Sequence, residues 1–323
     1  MIKMAVKLGI GFLSAFFAVL VLMPYFIRWL KRKRMNQKVS EYSLQAYKDK
    51  EKTPIMGGVL FILVPVAVTL LGLRGLWKEP ALPLLMLVFA GFGLIGFIDD
   101  WLIVTHGDNT GLKPWHKIAL QIAAAVFFIL SMGGNLPHEV HIPFTAVSLP
   151  FGIVYILLAV FMFTGSSNAV NLTDGMDGLA AGCSILACAA FLVIACVQGE
   201  YAIAFFIAAL IGALFGYLHF NVKPARIFMG DTGSLALGAL LAGLAILLHC
   251  EIAYIVIGGI FVIETICVIL QQVSVRTGHG RIFSYTPIHY AFVIKGMREK
   301  QVVYLFWLAE AILATVGLWI GLH

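Results

Sequence analysis

Residues 81–101 read ALPLLMLVFAGFGLIGFIDDW, an uncharged run followed directly by two aspartates. An apolar run of roughly 20 residues has the length that an α-helix needs to cross a membrane. Such runs recur along the whole chain, and the first, at 8–30, is too long for a signal-peptide core. The 323 residues are 61% hydrophobic and 12% charged, whereas about 25% charged is usual for a soluble domain. The sequence therefore predicts an all-α polytopic membrane protein.

Polar breaks divide the apolar sequence into about ten predicted transmembrane helices within one integral membrane domain, residues 1–323. The expected spans are 8–30, 54–73, 81–98, 117–133, 150–168, 178–198, 201–219, 232–249, 252–274 and 301–320. The loop at 134–149 is expected to hold a short hairpin.

Basic residues predict the orientation of these spans. Most of the 22 Lys and Arg residues fall in loops that follow odd-numbered spans, and the opposite side has only Lys3, Lys7, Arg74 and Lys78. By the positive-inside rule, the basic loops are cytoplasmic and both termini are extracytoplasmic. The net charge of +6 then reflects topology and anionic lipid, not nucleic acid. Every aspartate lies on the same predicted side, which locates the expected chemistry there.

Two adjacent carboxylates, Asp99 and Asp100, end the apolar run at 81–98. A carboxylate at the membrane boundary is costly unless it is solvated, paired or bound to a metal. The negative end of the helix dipole also disfavours an acid at a helix C-terminus. A solvated helix end is one interpretation. In the other, the pair holds Mg²⁺, or one carboxylate acts as a base while its neighbour stays ionised.

The segment 168–178, NAVNLTDGMDG, interrupts apolar sequence with Asn171, Asp174 and Asp177. Glycine permits the tight backbone that a nucleotide or phosphate requires, and Asn and Asp supply hydrogen-bonding groups. An ordinary turn between two helices is the simpler interpretation.

The segment 228–234, FMGDTGS, is predicted to open a helix, and a helix N-terminus suits phosphate. Asp231 there suits the Mg²⁺ that accompanies a pyrophosphate, and Phe228 could stack on a base. Thr232 as a plain N-cap is the alternative. A basic loop that contains His289 is a plausible phosphate clamp, or a simple product of topology.

Two glycines and two glutamates are weaker signals of function. Gly57 and Gly58, at the start of the second span, would let another chain come close. Glu264 and Glu310 lie within predicted spans, where carboxylates need partners or neutralisation, and the sequence assigns them no role.

Five segments together resemble the polyprenyl-phosphate N-acetylhexosamine-1-phosphate transferase superfamily, most closely its muramoyl-pentapeptide branch. They occur in the same order between about Gln37 and Gln301. The segments are KTPIMGG at 52–58, FIDD at 97–100, NAVNLTDGMDGLA at 168–180, FMGDTGSLALG at 228–238 and GRIFSYTPIH at 280–289.

The resemblance implies roles for twelve residues. The implied catalytic residues are Asp99, Asp100, Asp231 and His289, of which Asp231 also holds Mg²⁺. The implied substrate-binding residues are Lys50, Lys117, Asn171, Asp174, Asp177, Asn221, Phe228 and Gln271.

The implied activity is Mg²⁺-dependent transfer of phospho-MurNAc-pentapeptide from UDP-MurNAc-pentapeptide to undecaprenyl phosphate, a step of peptidoglycan synthesis. It would occur at the cytoplasmic face of the bacterial inner membrane, and the resemblance implies a homodimer.

The sequence departs from the superfamily pattern at Ile55 and in the triple-histidine motif, which reads His289-Tyr290-Ala291. Transfer of GlcNAc-1-phosphate from UDP-GlcNAc is therefore an open alternative. A transporter of a lipid-linked sugar is disfavoured, because transporters place charges near the midplane and often contain repeated halves.

Overall fold

The computed structural model describes residues 2–36, 53–73, 81–106, 111–145 and 147–323. This described part is predominantly helical, which confirms the predicted all-α class. The helices are α1 Ile2–Arg32, α2 Gly58–Gly72, α3 Ala81–His106, α4 Pro114–Met132, α5 Val154–Thr173, α6 Leu179–Gln198, α7 Tyr201–Asn221, α8 Gly230–Leu247, α9 Glu251–Ile257, α10 Gly259–Arg276, α11 Ile288–Ile294 and α12 Glu299–Gly321.

Within the described ranges, nine helices are long and apolar enough to cross a membrane. The helix α2 is a further apolar helix of only 15 residues. A polytopic membrane protein is thereby confirmed, while the count of ten spans and the side of the termini stay predictions. The most buried helices are α7 and α8, so the site-bearing start of α8 is anchored in the centre of the bundle.

The helix is interrupted within the predicted span at 252–274. The helices α9 and α10 end and begin on either side of Gly258. Two consecutive glycines, Gly258 and Gly259, each cost roughly 1 kcal/mol of helix propensity relative to alanine. The break is further stabilised because Glu310 of α12 accepts a hydrogen bond from the N–H of Ile260 at 3.0 Å.

The expectation that Asp99 and Asp100 end their helix is wrong. The helix α3 continues to His106, and both carboxylates are buried within it, at 3% relative exposure each. They do not need to sit at a solvated terminus, because each is hydrogen-bonded to neighbouring elements.

The loop between α4 and α5 forms the short hairpin that the sequence predicts. Strand β1, Glu139–His141, pairs antiparallel with strand β2, Ser148–Pro150. The hairpin follows the C-terminal end of α4, a helix of 19 residues that spans about 28 Å at 1.5 Å per residue. It therefore lies far from the N-terminal end of α4, where the candidate site is found.

Carboxylates from neighbouring helices cap three helices of the described structure. Asp100 accepts N–H groups at the start of α8, Glu310 at the start of α10 and Glu264 at the start of α11. The residue that precedes each of these helices provides no side-chain cap. An unsatisfied N–H group in hydrocarbon costs several kcal/mol, which accounts for acids buried in such an apolar chain.

Glycines bring α2 and α3 against the first turn of α8. A Cβ atom at Gly96 would collide with the backbone of Asp231 and Thr232, and one at Gly58 would collide with the backbone of Gly233. The expected role of Gly58 in the close approach of another chain is confirmed. These contacts fix the height of Asp231 relative to α3.

Replacement of Gly96 by alanine should therefore destabilise the protein by about 1–3 kcal/mol, the usual cost of overpacking, and should also lower activity. Gly91→Ala on the same helix is the matched control, because no atom lies within 4 Å of its added Cβ. That control should be neutral or slightly stabilising. Thermal unfolding in detergent measures both, and equal melting temperatures for the two variants would contradict the packing argument.

Candidate active site

Four helices bring polar side chains to one point. Asp99 comes from α3, Lys117 from the first turn of α4, Asn171 from α5 and Asp231 from the first turn of α8. The ammonium of Lys117 donates to Asp99 Oδ2 at 3.0 Å and to Asp231 Oδ2 at 2.6 Å. These three residues form the Asp99–Lys117–Asp231 cluster. These contacts bring together two of the aspartates that the sequence places on one predicted side.

The side chain of Asp231 is oriented by its neighbours yet stays accessible. Asn171 Nδ2 donates to Asp231 Oδ1 at 2.7 Å and to Ser234 Oγ at 2.9 Å, and the Ser234 hydroxyl donates to the Gly230 carbonyl. The Asp231 side chain keeps 22% of its surface exposed. It can therefore accept a ligand from solvent without losing its position.

Asp99 is held more deeply than Asp231. Its Oδ1 accepts the backbone N–H of Leu112 at 2.7 Å, and its side chain is only 4% exposed. Gly111 packs so closely that a Cβ there would meet the carboxylate. The segment before α4 thus covers Asp99 and directs its second oxygen to Lys117.

Asp100 points away from this cluster, since successive residues on a helix do not share a face. Its Oδ1 accepts the N–H of Asp231 at 3.0 Å, while Oδ2 accepts the N–H and the hydroxyl of Thr232 at 3.0 and 2.6 Å. Thr232 therefore does not cap its own helix but bonds to the residue that does. The two adjacent aspartates do different work: Asp99 faces the polar site, and Asp100 holds the helix that carries Asp231.

The chemistry of the cluster suits a divalent cation. Two carboxylates share the single positive charge of Lys117, which leaves net negative charge in a partly buried place where electrostatic interactions are strengthened. Among the described residues no group of three or more His, Cys, Asp and Glu side chains could hold a metal. Mg²⁺ commonly uses one or two carboxylates and completes its shell with water and substrate phosphate, so the oxygen donors present fit this ion.

Asn221 and Asp177 bond to backbone groups. Asn221 Oδ1 accepts the N–H of Gly178 at 3.0 Å and its Nδ2 donates to the carbonyl of Ile227 at 2.9 Å. Asp177 Oδ2 accepts the N–H of Ala225 at 3.0 Å. Both residues therefore tie the turn at 174–178 to the segment that precedes α8. Asp174, the first residue of this turn, is half-buried.

Phe228 lies in the segment before α8, and Gln271 lies on α10 and bonds to the segment that follows it. The backbone of Phe228 pairs with Pro54 and Gly57 at 2.9 and 2.8 Å, and its side chain is half-buried. Gln271 Oε1 accepts the N–H groups of Ile282 and Phe283 at 3.0 and 2.9 Å. Gln271 therefore shapes the loop before α11. Lys50, predicted to bind substrate, lies outside the described residues.

His289 forms a second polar centre, on α11. Its Nδ1 lies 2.9 Å from Glu264 Oε1, and the hydroxyl of the next residue, Tyr290, donates to the carbonyl of Gly175 at 3.0 Å. Among the hydrogen bonds of the described residues, none joins His289 to the Asp99–Lys117–Asp231 cluster. It contacts instead the turn at 174–178.

Sequence reasoning missed two contacts of the candidate site. Ser234, in the GDTGS segment, helps to orient Asn171, and its proximity could not be read from spacing. Glu264 binds His289, and its signal was present as a carboxylate within a predicted span. The sequence does not state which of the distant polar groups such an acid contacts.

The chain is similar to known proteins over most of its length. A family model described as glycosyl transferase family 4 matches residues 82–249, a range that contains the whole Asp99–Lys117–Asp231 cluster. A phospho-N-acetylmuramoyl-pentapeptide-transferase of Staphylococcus carnosus (strain TM300) is 44% identical over 315 residues, 96% of this chain and 98% of the relative. A protein of the same name from Staphylococcus aureus (strain bovine RF122 / ET3-1) is 44% identical over 317 residues, again 96% and 98%.

Proposed function

We propose, for a chain that belongs to the phospho-N-acetylmuramoyl-pentapeptide transferases, that the Asp99–Lys117–Asp231 cluster is the place of phospho-sugar transfer. The reaction of this family is formation of lipid I in peptidoglycan synthesis, and the chain is a glycosyl-1-phosphate transferase. The observation that carries the assignment is one lysine held between two carboxylates from different helices. Such a group can bind phosphate and also a cation.

The reaction joins two phosphates. An oxygen of the polyprenyl phosphate attacks the sugar-linked phosphorus of UDP-MurNAc-pentapeptide. A new P–O bond forms there, the bond from that phosphorus to the bridging oxygen of the diphosphate breaks, and its electron pair leaves with UMP. Because the reacting groups are all anionic, positioning and charge stabilisation dominate the catalytic demand.

The residues of the cluster have different roles in positioning the phosphates and stabilising their charge. Lys117 lies between the two carboxylates and can place a phosphate oxygen by a charge-assisted hydrogen bond. Asp99, covered by the segment before α4, positions or deprotonates the lipid phosphate. Asn171 holds Asp231 in place, and Asp100 acts by anchoring α8. Asp174, Asp177, Asn221, Phe228, Gln271 and Lys50 form the proposed surroundings of the UDP-sugar.

Asp231 would hold Mg²⁺, with Asp99, which shares Lys117 with it, as a further carboxylate. A bound Mg²⁺ would neutralise the charge of the diphosphate and of the departing UMP. The accessible carboxylate of Asp231, already directed by Asn171, supports this assignment.

The active site is proposed to face the cytoplasm from a bacterial inner membrane. The excess of Lys and Arg in the loops on the side of the aspartates supports this orientation. Undecaprenyl phosphate is the proposed acceptor, residues 1–323 form the proposed single domain, and a homodimer is proposed from the family resemblance.

The test is UMP release by purified protein in detergent, with undecaprenyl phosphate, with or without Mg²⁺. UDP-MurNAc-pentapeptide is compared with UDP-GlcNAc as the donor. We expect Mg²⁺-dependent release with the muramoyl donor alone.

Turnover of UDP-GlcNAc alone would contradict the donor assignment and would implicate the Tyr290-Ala291 departure. Equal activity after removal of divalent cations with a chelator would contradict the metal assignment. After either outcome, substitution of Asp99, Lys117 or Asp231 still tests whether the cluster is needed for activity.

A further inference from the structure

Glu264 is a fully buried carboxylate within α10 that the transfer reaction, as described above, does not use. Its Oε2 accepts the N–H of Ile288 at 2.7 Å, and its Oε1 accepts the N–H of His289 at 3.1 Å. The same Oε1 lies 2.9 Å from His289 Nδ1. One side chain thus holds both the start of α11 and the ring of its histidine.

This network assigns the hydrogen between Glu264 and His289. Both carboxylate oxygens already accept backbone N–H groups, as an ionised carboxylate does, because it is an acceptor only. The hydrogen of the third contact then belongs to the ring, and Nδ1 is its donor. Nε2 is left as the nitrogen that can serve another partner.

Nε2 of His289 is buried and has no hydrogen-bond partner in the described part of the chain. It faces Gly175, where an added Cβ would collide with it. Gly175 belongs to the turn at 174–178, which carries Asp174 and Asp177. A buried polar atom without a partner is costly, and the atom is directed at a segment of the proposed substrate site.

We propose that Glu264 is a positioning residue for the transfer reaction: it holds His289 with Nδ1–H directed at itself and presents Nε2 to the substrate beside the turn at 174–178. The kinetic part of this inference rests on the proposed function. The ring orientation and the site of its hydrogen do not, because they can be measured without turnover.

Glu310 provides the matched control. It is also a fully buried glutamate that caps a helix, through the N–H of Ile260 at 3.0 Å. It lies on α12, and none of its hydrogen bonds in the described structure involves His289. A general loss of a buried carboxylate would affect both positions, whereas loss of histidine positioning would follow Glu264 alone.

The first experiment measures the ring directly. The protein is produced with ring-¹⁵N histidine and placed in lipid nanodiscs, and the His289→Gln spectrum identifies His289 among the 9 histidines. We expect Nδ1 to carry the hydrogen in the unchanged protein and in Glu310→Gln, and this signature to be lost in Glu264→Gln. A neutral ring protonated at Nε2 in the unchanged protein would overturn the inference, even if Glu264→Gln failed to fold.

The second experiment measures turnover. Glu264→Gln is expected to lower kcat by roughly 10- to 100-fold, the range found when the orienting partner of a metal-bound histidine is removed. Added to His289→Gln, the same substitution should change kcat by less than about twofold, because residues that act as a unit are not additive. A full additional loss in the double variant would mean that Glu264 acts independently of His289. If neither the unchanged protein nor any variant turns over the donor, the proposed function fails. The NMR result still decides the ring assignment.

Discussion

Asp231→Asn is expected to lower kcat at least about 100-fold, which corresponds to roughly 3 kcal/mol of transition-state stabilisation. Asparagine keeps the size of the side chain and an oxygen that can accept the hydrogen bond from Asn171. It removes the charge that pairs with Lys117 at 2.6 Å and that would hold Mg²⁺. The variant should therefore fold and yet lose charge stabilisation at the reacting phosphates. UMP release over a range of Mg²⁺ concentrations measures the effect.

Glu200→Gln is the control for this loss. Glu200 is an exposed carboxylate before α7, at the end of α6 remote from the cluster, so its neutralisation should leave kcat unchanged. Melting temperatures of both variants establish that each is folded. Activity of Asp231→Asn within tenfold of the unchanged protein would remove Asp231 as the metal ligand.

Asp99→Asn and Asp100→Asn should differ in their effects on kcat and on thermal stability, although the two residues are adjacent. Asp99→Asn removes the charge that faces Lys117, so kcat should fall by about 10²-fold or more, the contribution of a positioned acid or base. Its melting temperature should fall less than that of Asp100→Asn, because Lys117 keeps Asp231 as a partner. Asp100→Asn places an NH₂ group either against the N–H of Asp231 or against the N–H of Thr232. One buried donor then loses its acceptor, and the free energy of unfolding should fall by about 1–3 kcal/mol.

Thermal unfolding and kcat, measured side by side, separate the two residues. For Asp100→Asn, any fall in kcat should accompany a lower melting temperature, because the substitution affects activity by displacing α8. Equal stability of the two variants with equal loss of kcat would instead make them a chemically equivalent pair, against the contacts of Asp100.

Several features of the site could be predicted from the sequence. Asp231 at the start of a helix followed from the GDTGS segment, because glycine and the small polar residues signal such a start. The common predicted side of the aspartates favoured their meeting, and Asp99, Asp100 and Asp231 lie together. Lys117 was implied by resemblance, and the structure brings it to both carboxylates.

Other features could not be predicted, and the reason is physical. Asp99 and Asp100 have the same chemistry and adjacent positions, so only the packing of α3 on α8 distinguishes their partners. The break between α9 and α10 has apolar residues on both sides, so hydropathy alone predicts one uninterrupted apolar segment there. Its stabilisation comes from Glu310, about 50 residues further along the chain.

The sequence by itself determined the membrane class, the family and the residues available for chemistry, because these depend on composition and on local segments. The tertiary structure alone decided which of these residues meet. Lys117 and Asp231 are 114 residues apart. Their contact requires that α8 lie at the depth against α3 that Gly96 permits. Likewise, Glu264 meets His289 only because the chain folds back after α10. Side-chain hydrogen bonds act over about 3 Å, a distance that helix packing controls and that no sequence pattern encodes.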